Sequence, residues 1–268
     1  MVVVSLNEWI LWFFIYAFIG WVFESIYCSI RENTLINRGF LRLPFLPLYG
    51  FGAIVMFRAA LFKHTIVGEF FATMIAATLL EFFTGMIMED IFKVKYWDYS
   101  NQKINYKGYI CLSSSVLWGF FGVLLVHFIH PFFLNIISMI PSYLLTTIDF
   151  FLIIITFYDS YISVKVALDL KNIIEVQNYA LSEMSKIKVQ ADTLGDKLKR
   201  RLDTTLTFYK EDIIKTKNQY EKIFPKNVYS MILRNPTMSS LKNNEIFNTK
   251  KVITKLMKEF KNKFNKEK

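Results

Sequence analysis

Five apolar runs, at about residues 6–30, 44–62, 66–92, 109–130 and 141–168, leave this chain few ways to fold. A bilayer crossing needs about 20 predominantly apolar residues, and each run is close to or above that length. The rest of the chain agrees. Just over half of the 268 residues are hydrophobic (53%), with 27 Phe, which is too apolar for an ordinary soluble domain. The N-terminal run has no basic leader and no small-residue cleavage site, so it reads as a retained first span.

The breaks between the runs orient them. The first carries Arg31, Arg38 and Arg42, and the third carries Lys93, Lys95, Lys103 and Lys107. The fourth has no Lys or Arg, and the second has only Lys63. Basic loops stay in the cytoplasm. The expected topology therefore has five spans, with the N-terminus outside and the C-terminus in the cytoplasm, in the plasma (cytoplasmic) membrane. Charge also divides the chain. Residues 1–169 hold 10 Lys+Arg against 11 Asp+Glu, whereas 170–268 hold 22 against 11. We expect a transmembrane domain over 1–169 and a basic helical tail over 170–268. Nine of the ten glycines precede residue 123, where close packing of membrane helices uses them.

A repeat organises the first domain. Asn37 to Gly52 reads NRGFLRLPFLPLYGFG, and Asn105 to Gly122 reads NYKGYICLSSSVLWGFFG. Aligned at Gly39 and Gly108, a basic residue precedes each glycine and an aromatic follows it. Leu48-Tyr49-Gly50 then falls on Leu117-Trp118-Gly119. The expectation is an all-α integral membrane protein with a duplicated helical hairpin (about 6–62 and 66–130), a fifth helix and a C-terminal helical, coiled-coil tail. Repeats of this kind are common in transporters, although any duplicated hairpin would look the same.

In the tail, Met184, Ile187, Ala191, Leu194 and Leu198 follow coiled-coil spacing on a helix expected from about Val164 to Ile223. A homo-oligomer through this seam is one expectation. A polar linker, about Lys226 to Ser240, contains Pro236. A last amphipathic helix is expected over about 241–265, packed on the long helix or laid on anionic lipid.

Carboxylates inside the apolar runs are the strongest site signal, because burying a charge in lipid is costly. Glu81 lies near the middle of the third run, Glu24 in the inner half of the first, and Glu89 with Asp90 at the inner end of the third. These groups line a polar path or hold helices together; the residues leave both open. Arg58, Glu69 and Asp149 fall in the outer half, where Arg58 pairs with one of the two acids or reaches the surface. His127 and His130 read as interfacial rather than metal-ligating. Ser113, Ser114 and Ser115 cap or bond helix backbone. The segment KVKYWDYSNQKINYKG, with its tyrosines, Trp97 and lysines, suits a headgroup layer or a docking surface. Cys28 and Cys111 have no metal or disulfide spacing. No phosphate-binding loop, HExxH or dinucleotide fingerprint occurs, so neither an enzyme nor a cofactor is expected. Nor is nucleic acid expected as a partner, since the tail's lysines are interspersed with acids.

Gly20-Trp21 with Glu24, then Asn37, Arg38, Gly39, Phe40, Pro44, Pro47, Tyr49 and Gly50, make up a pattern. Glu81, Thr84-Gly85, Glu89, Trp97, Asp98, Tyr99, Ser100, Asn105, Gly108, Trp118 and Gly119 continue it. Together they resemble the family called putative ABC-transporter type IV, or CmpB-like permeases, over about residues 8–160. The chain departs from that pattern at Leu43, where the family is expected to carry glycine. The resemblance implies a permease-like subunit whose ATP is hydrolysed by a separate chain docking on the first and third loops. A membrane scaffold or sensor working through the tail, and a proton-coupled carrier using Glu81, are the alternative expectations.

Overall fold

A computed structural model describes residues 5–62, 65–192 and 226–240. The described parts of 1–164 and 232–268 form one compact unit, and those of 165–231 a second.

Helix α1 (Leu6–Glu32) starts where Ser5 and Glu8 make reciprocal bonds that satisfy its first amides. It stops at Asn33 in the left-handed conformation. Helix α3 (Ile66–Phe92) repeats this design, with Thr65 as its cap and Lys93 left-handed at its end. Each has 27 residues, about 40 Å at 1.5 Å per residue. Helix α2 (Pro47–Ala60) opens on a proline, where the missing N–H costs nothing. Helix α4 (Leu112–Ser138) follows the short paired strands β2 (Asn105–Tyr106) and β3 (Ile110–Cys111). Helix α5 runs unbroken over Ser142–Asp192.

Among the described residues, four helices are long and apolar enough to cross a membrane: Leu6–Glu32, Ile66–Phe92, Leu112–Ser138 and Ser142–Asn172. This fits a multi-pass membrane protein. Large apolar side chains point outward from them, among them Phe120 (62% exposed), Phe128 (67%) and Phe157 (77%). Water would not tolerate such a surface, and lipid would. The second apolar run, expected as a full span over about 44–62, holds only the 14-residue α2, about 21 Å long. The residues before it form bends instead.

Two further differences have local causes. The fourth run was expected to end near residue 130, yet its helix continues through Pro131 to Ser138. A wide π turn at Leu125–Ile129 precedes the proline and absorbs its missing N–H and its clash with the preceding turn. The expected linker 226–240 is ordered: helix α6 (Lys226–Arg234), a turn, and strand β4 (Ser239–Ser240) paired with β1 (Val94–Lys95). In the tail, Met184, Ile187 and Ala191 lie on α5. Leu194, Leu198 and the expected helix at 241–265 fall outside the described residues.

The first unit packs α2 between α1 and α3, and α3 against α4. Leu11, Trp12, Tyr16, Ala53, Met56, Ala77, Trp118, Leu125, Ile137 and Leu145 make its core. Two contacts show the duplication in three dimensions. A methyl group on Gly50 would meet the Phe13 ring at 2.6 Å, and one on Gly119 would meet Phe70 at 2.6 Å. Phe13 and Phe70 are 57 residues apart, whereas Gly50 and Gly119 are 69 apart. The hairpins are thus built alike, with 12 more residues between the paired positions in the second.

Close approach of this kind is testable. Gly50→Ala should destabilise the detergent-solubilised protein by about 1–3 kcal/mol, since the Phe13 carbonyl as well as its ring crowds the site. Gly119→Ala should cost less, because only a ring must move. Gly52→Ala, whose nearest neighbour is at 3.9 Å, should leave the thermal midpoint unchanged.

Candidate functional site

Both connections turn back into the helical body at one end of it, hereafter the connection face. Gly39 and Gly108 take positive φ values (132° and 74°), so a side chain at either would strain the turn. After Gly39 the chain runs through a series of bends with no helix or strand, and Leu46 N–H donates to the Ala17 carbonyl at 3.0 Å. Ala17 lies four turns inside α1, so non-helical backbone reaches well into an apolar body. Such backbone must find partners. Asp159 on α5 supplies two: its Oδ2 accepts from Arg42 N–H (2.8 Å) and Leu43 N–H (3.0 Å), and the residue is 6% exposed. Asn37 ties the start of the segment, accepting from Trp21 Nε1 (2.6 Å) and donating to the Arg42 carbonyl (2.9 Å). Pro44 and Pro47, which have no N–H, leave two fewer donors to satisfy.

The second connection is knitted internally. Tyr99 N–H donates to the Gly108 carbonyl, Gly108 N–H to Asn105 Oδ1, and Trp97 Nε1 to the Tyr109 carbonyl. Asp98 accepts from the Ser100 amide at 2.9 Å.

Each connection closes on a carboxylate of the helix before it. Tyr49 Oη donates to Glu24 Oε1 at 2.7 Å, and Arg38 Nε lies 3.7 Å from Glu24 Oε2. Glu81 is 3% exposed and takes three donors: Trp118 Nε1 (2.9 Å), Tyr99 Oη (3.0 Å) and Ser114 Oγ (3.1 Å). Burial, with the Glu81 charge adding, holds the Tyr99 phenol well above its ordinary range, so it stays a donor. Glu24 and Glu81 are separated by the same 57 residues as Phe13 and Phe70, and Tyr49 and Trp118 by the same 69 as the glycines. The two halves therefore carry equivalent donor–carboxylate pairs. They meet where the Tyr49 and Trp118 rings lie 5.1 Å apart.

Of the three carboxylates singled out in the sequence, the structure brings together Glu24 and Glu81. Glu89 stands apart, two turns nearer the connection face, with Lys95 Nζ at 4.0 Å. Lys95 also donates to the Lys107 carbonyl and lies over the Tyr109 ring. In the outer half, Glu69 pairs with His127 (2.6 Å) and not with Arg58, which is exposed. His130 is buried against Tyr16 Oη (2.8 Å), so it is a core group rather than an interfacial one. Ser115 bonds its own helix backbone as expected, while Ser114 turns to Glu81. Among the described residues, no group of three or more His, Cys, Asp or Glu could hold a metal ion.

Sequence reasoning passed over Asp159. An isolated acid at the end of an apolar run was visible, but its two amide partners lie more than 110 positions away. Asp159→Ala should cost roughly 1–3 kcal/mol by leaving two part-buried N–H groups without their acceptor, and should admit trypsin at Arg42 in the solubilised protein. For Glu81, Ala should cost roughly 2–3 kcal/mol, read as a lowered thermal midpoint, because it orphans Trp118 Nε1. Gln should stay within about 1 kcal/mol of the parent, since its carbonyl can accept from Trp118 while its amide donates to the rotatable Tyr99 and Ser114 hydroxyls.

The family model described as putative ABC-transporter type IV (CmpB) matches residues 11–164, more than half of the chain and every element just described except the C-terminal segment. Neither a curated protein nor a solved structure matches the sequence. Its duplicated hairpins, their glycine turns and the carboxylates they close upon all lie inside the matched region, and the chain belongs to this ABC-transporter type IV family.

Proposed function

We propose that this chain is the permease-like membrane subunit of a transporter whose ATP hydrolysis takes place on a separate protein. In this reading α2 and the non-helical residues before it together complete a fifth crossing, with the N-terminus outside, the C-terminus in the cytoplasm and the connection face inward in the cell membrane. The basic residues of both connections support that orientation. Glu24 and Glu81, with Tyr49 and Trp118 between them, form the polar centre of the transport domain, and none of them acts as an enzymatic catalyst.

One observation carries the partner. Leu35 is fully exposed (100%) and Ile104 is 64% exposed, each four residues before the glycine turn of its own repeat. The duplication thus places a matched pair of bare aliphatic side chains at the tips of the two connections. Exposed Lys103 and Lys107 accompany Ile104, and exposed Arg31 precedes Leu35. Apolar anchors rimmed by basic groups suit a protein partner with an apolar, acid-edged cleft.

The full-length chain purified in mild detergent should therefore bring a stoichiometric ATPase with it. Leu35→Asp with Ile104→Asp should remove the ATPase while leaving the thermal midpoint of the membrane subunit in place. Recovery of the parent chain alone, under conditions that preserve its fold, would overturn the reading in favour of a scaffold or a self-sufficient carrier.

A further inference from the structure

The connection face already holds a peptide. Residues 235–238 form a turn, with Met238 N–H bonded to the Asn235 carbonyl at 3.0 Å and Pro236 at its first corner. Beyond the turn, β4 adds antiparallel to β1, setting Ser239 opposite Lys95 and Ser240 opposite Val94. Asn235 (2% exposed) and Met238 (6%) are buried. The socket they fill is built from both repeats. Arg38 Nη1 donates to Asn235 Oδ1 (2.8 Å) and the Arg234 carbonyl (3.4 Å), and Nη2 to Thr237 Oγ1 (3.4 Å) and the Tyr96 carbonyl (3.4 Å). Asn235 Nδ2 donates to the Gly39 carbonyl (3.2 Å), and Thr237 Oγ1 to that of Tyr96 (3.4 Å).

We propose that residues 235–240 are a detachable latch, a docking peptide in cis, which controls access to Glu24 from the connection face. The Arg38 guanidinium is the hinge of the device. Three of its four acceptors at Nη1 and Nη2 belong to residues 234–237, and these contacts turn the fork away from Glu24, leaving only the 3.7 Å approach of Nε. When the peptide leaves, Glu24 is the anionic partner within reach, and the planar fork closes on it in two-point contact. Glu24 is then shared between Arg38 and Tyr49, so the latch reports to the Tyr49–Trp118 contact at the centre of the domain. Two features favour release: the strand pairing is only two residues long, and three of the four Arg38 bonds are at 3.4 Å, long for N–H···O. The inference uses the geometry of this face alone and stands whether or not an ATPase docks there.

Cys28 is a built-in reporter. It is 4% exposed, with its Sγ 4.0 Å from Glu24 Oε2, and Cys111 is the only other cysteine in the chain. In the full-length Cys111→Ser protein in detergent, the rate of maleimide labelling at Cys28 would be followed in three forms. Asn235→Ala should raise the rate by at least about tenfold, because it removes both the bond from the Arg38 guanidinium and the bond to the Gly39 carbonyl that hold the segment closed. A Lys95→Cys/Ser239→Cys disulfide between paired strand positions should lower it below the parent, and reduction should restore it. Equal rates in the parent and the fully cross-linked protein would overturn the latch, because the segment would then be fixed structure. Fast labelling of Asn235→Ala that the disulfide cannot slow would also overturn it, showing local unfolding instead of release.

Discussion

Backbone amides that leave a helix inside an apolar body must find acceptors, and the domain is arranged around that need. An unpaired buried N–H or C=O costs about as much as a lost hydrogen bond, or more in hydrocarbon. The bent residues before α2 meet the need from three sides: the Ala17 carbonyl on α1, the Asp159 carboxylate on α5, and the Asn37 side chain next to them. Without the Asp159 carboxylate, two part-buried amides lose their acceptor. The charge on Asp159 makes its two bonds the strongest of the set. This explains why α5 belongs to the fold although it lies outside the duplicated pair of hairpins.

The two halves solve the same problem with different chemistry. In each, a side chain ten positions after the glycine turn reaches back to a carboxylate on the preceding helix. The first half uses a phenol and adds a guanidinium, so Glu24 sits in an ion pair that can be redistributed. The second uses an indole and two hydroxyls, all neutral, and Glu81 is held from every side. The twelve extra residues of the second half, all before Gly108, supply Tyr99 and strand β2. The first connection, being shorter, borrows its bonds from α5 and from the segment around Asn235. A duplicated scaffold thus carries one adjustable centre and one rigid one.

That asymmetry bears on transport. A polar centre that must change during a cycle needs a group whose partners can be exchanged at small cost. Glu24, with Tyr49, Arg38 and Cys28 around it, has such partners. Glu81, with its hydrogen bonds saturated, is better suited to hold α3, α4 and the second connection in register. The sequence presented both as equivalent candidates, and their environments separate them.

Much of this was legible in one dimension because it follows from local rules. Apolar runs of bilayer length, the asymmetry of Lys and Arg, the glycines that must take positive φ, and the echo of Leu-Tyr-Gly in Leu-Trp-Gly identified a duplicated helical membrane domain and the carboxylates facing its interior. The family resemblance lay in the same residues. Other features required the folded chain, and for a physical reason in each case. Periodicity and hydropathy do not distinguish a full span from a short helix preceded by non-helical backbone, because both are apolar. A proline inside a run ends a helix unless the turn before it widens, as happens at Leu125–Ile129. The partners of Asp159, Arg38 and Glu81 lie up to 199 positions away, and hydrogen-bond geometry at such separations is set by packing. What the sequence determined by itself was the kind of molecule and the residues that cannot remain unpartnered; which partner each one takes was decided only by the tertiary structure, because pairing depends on distances that no local pattern encodes.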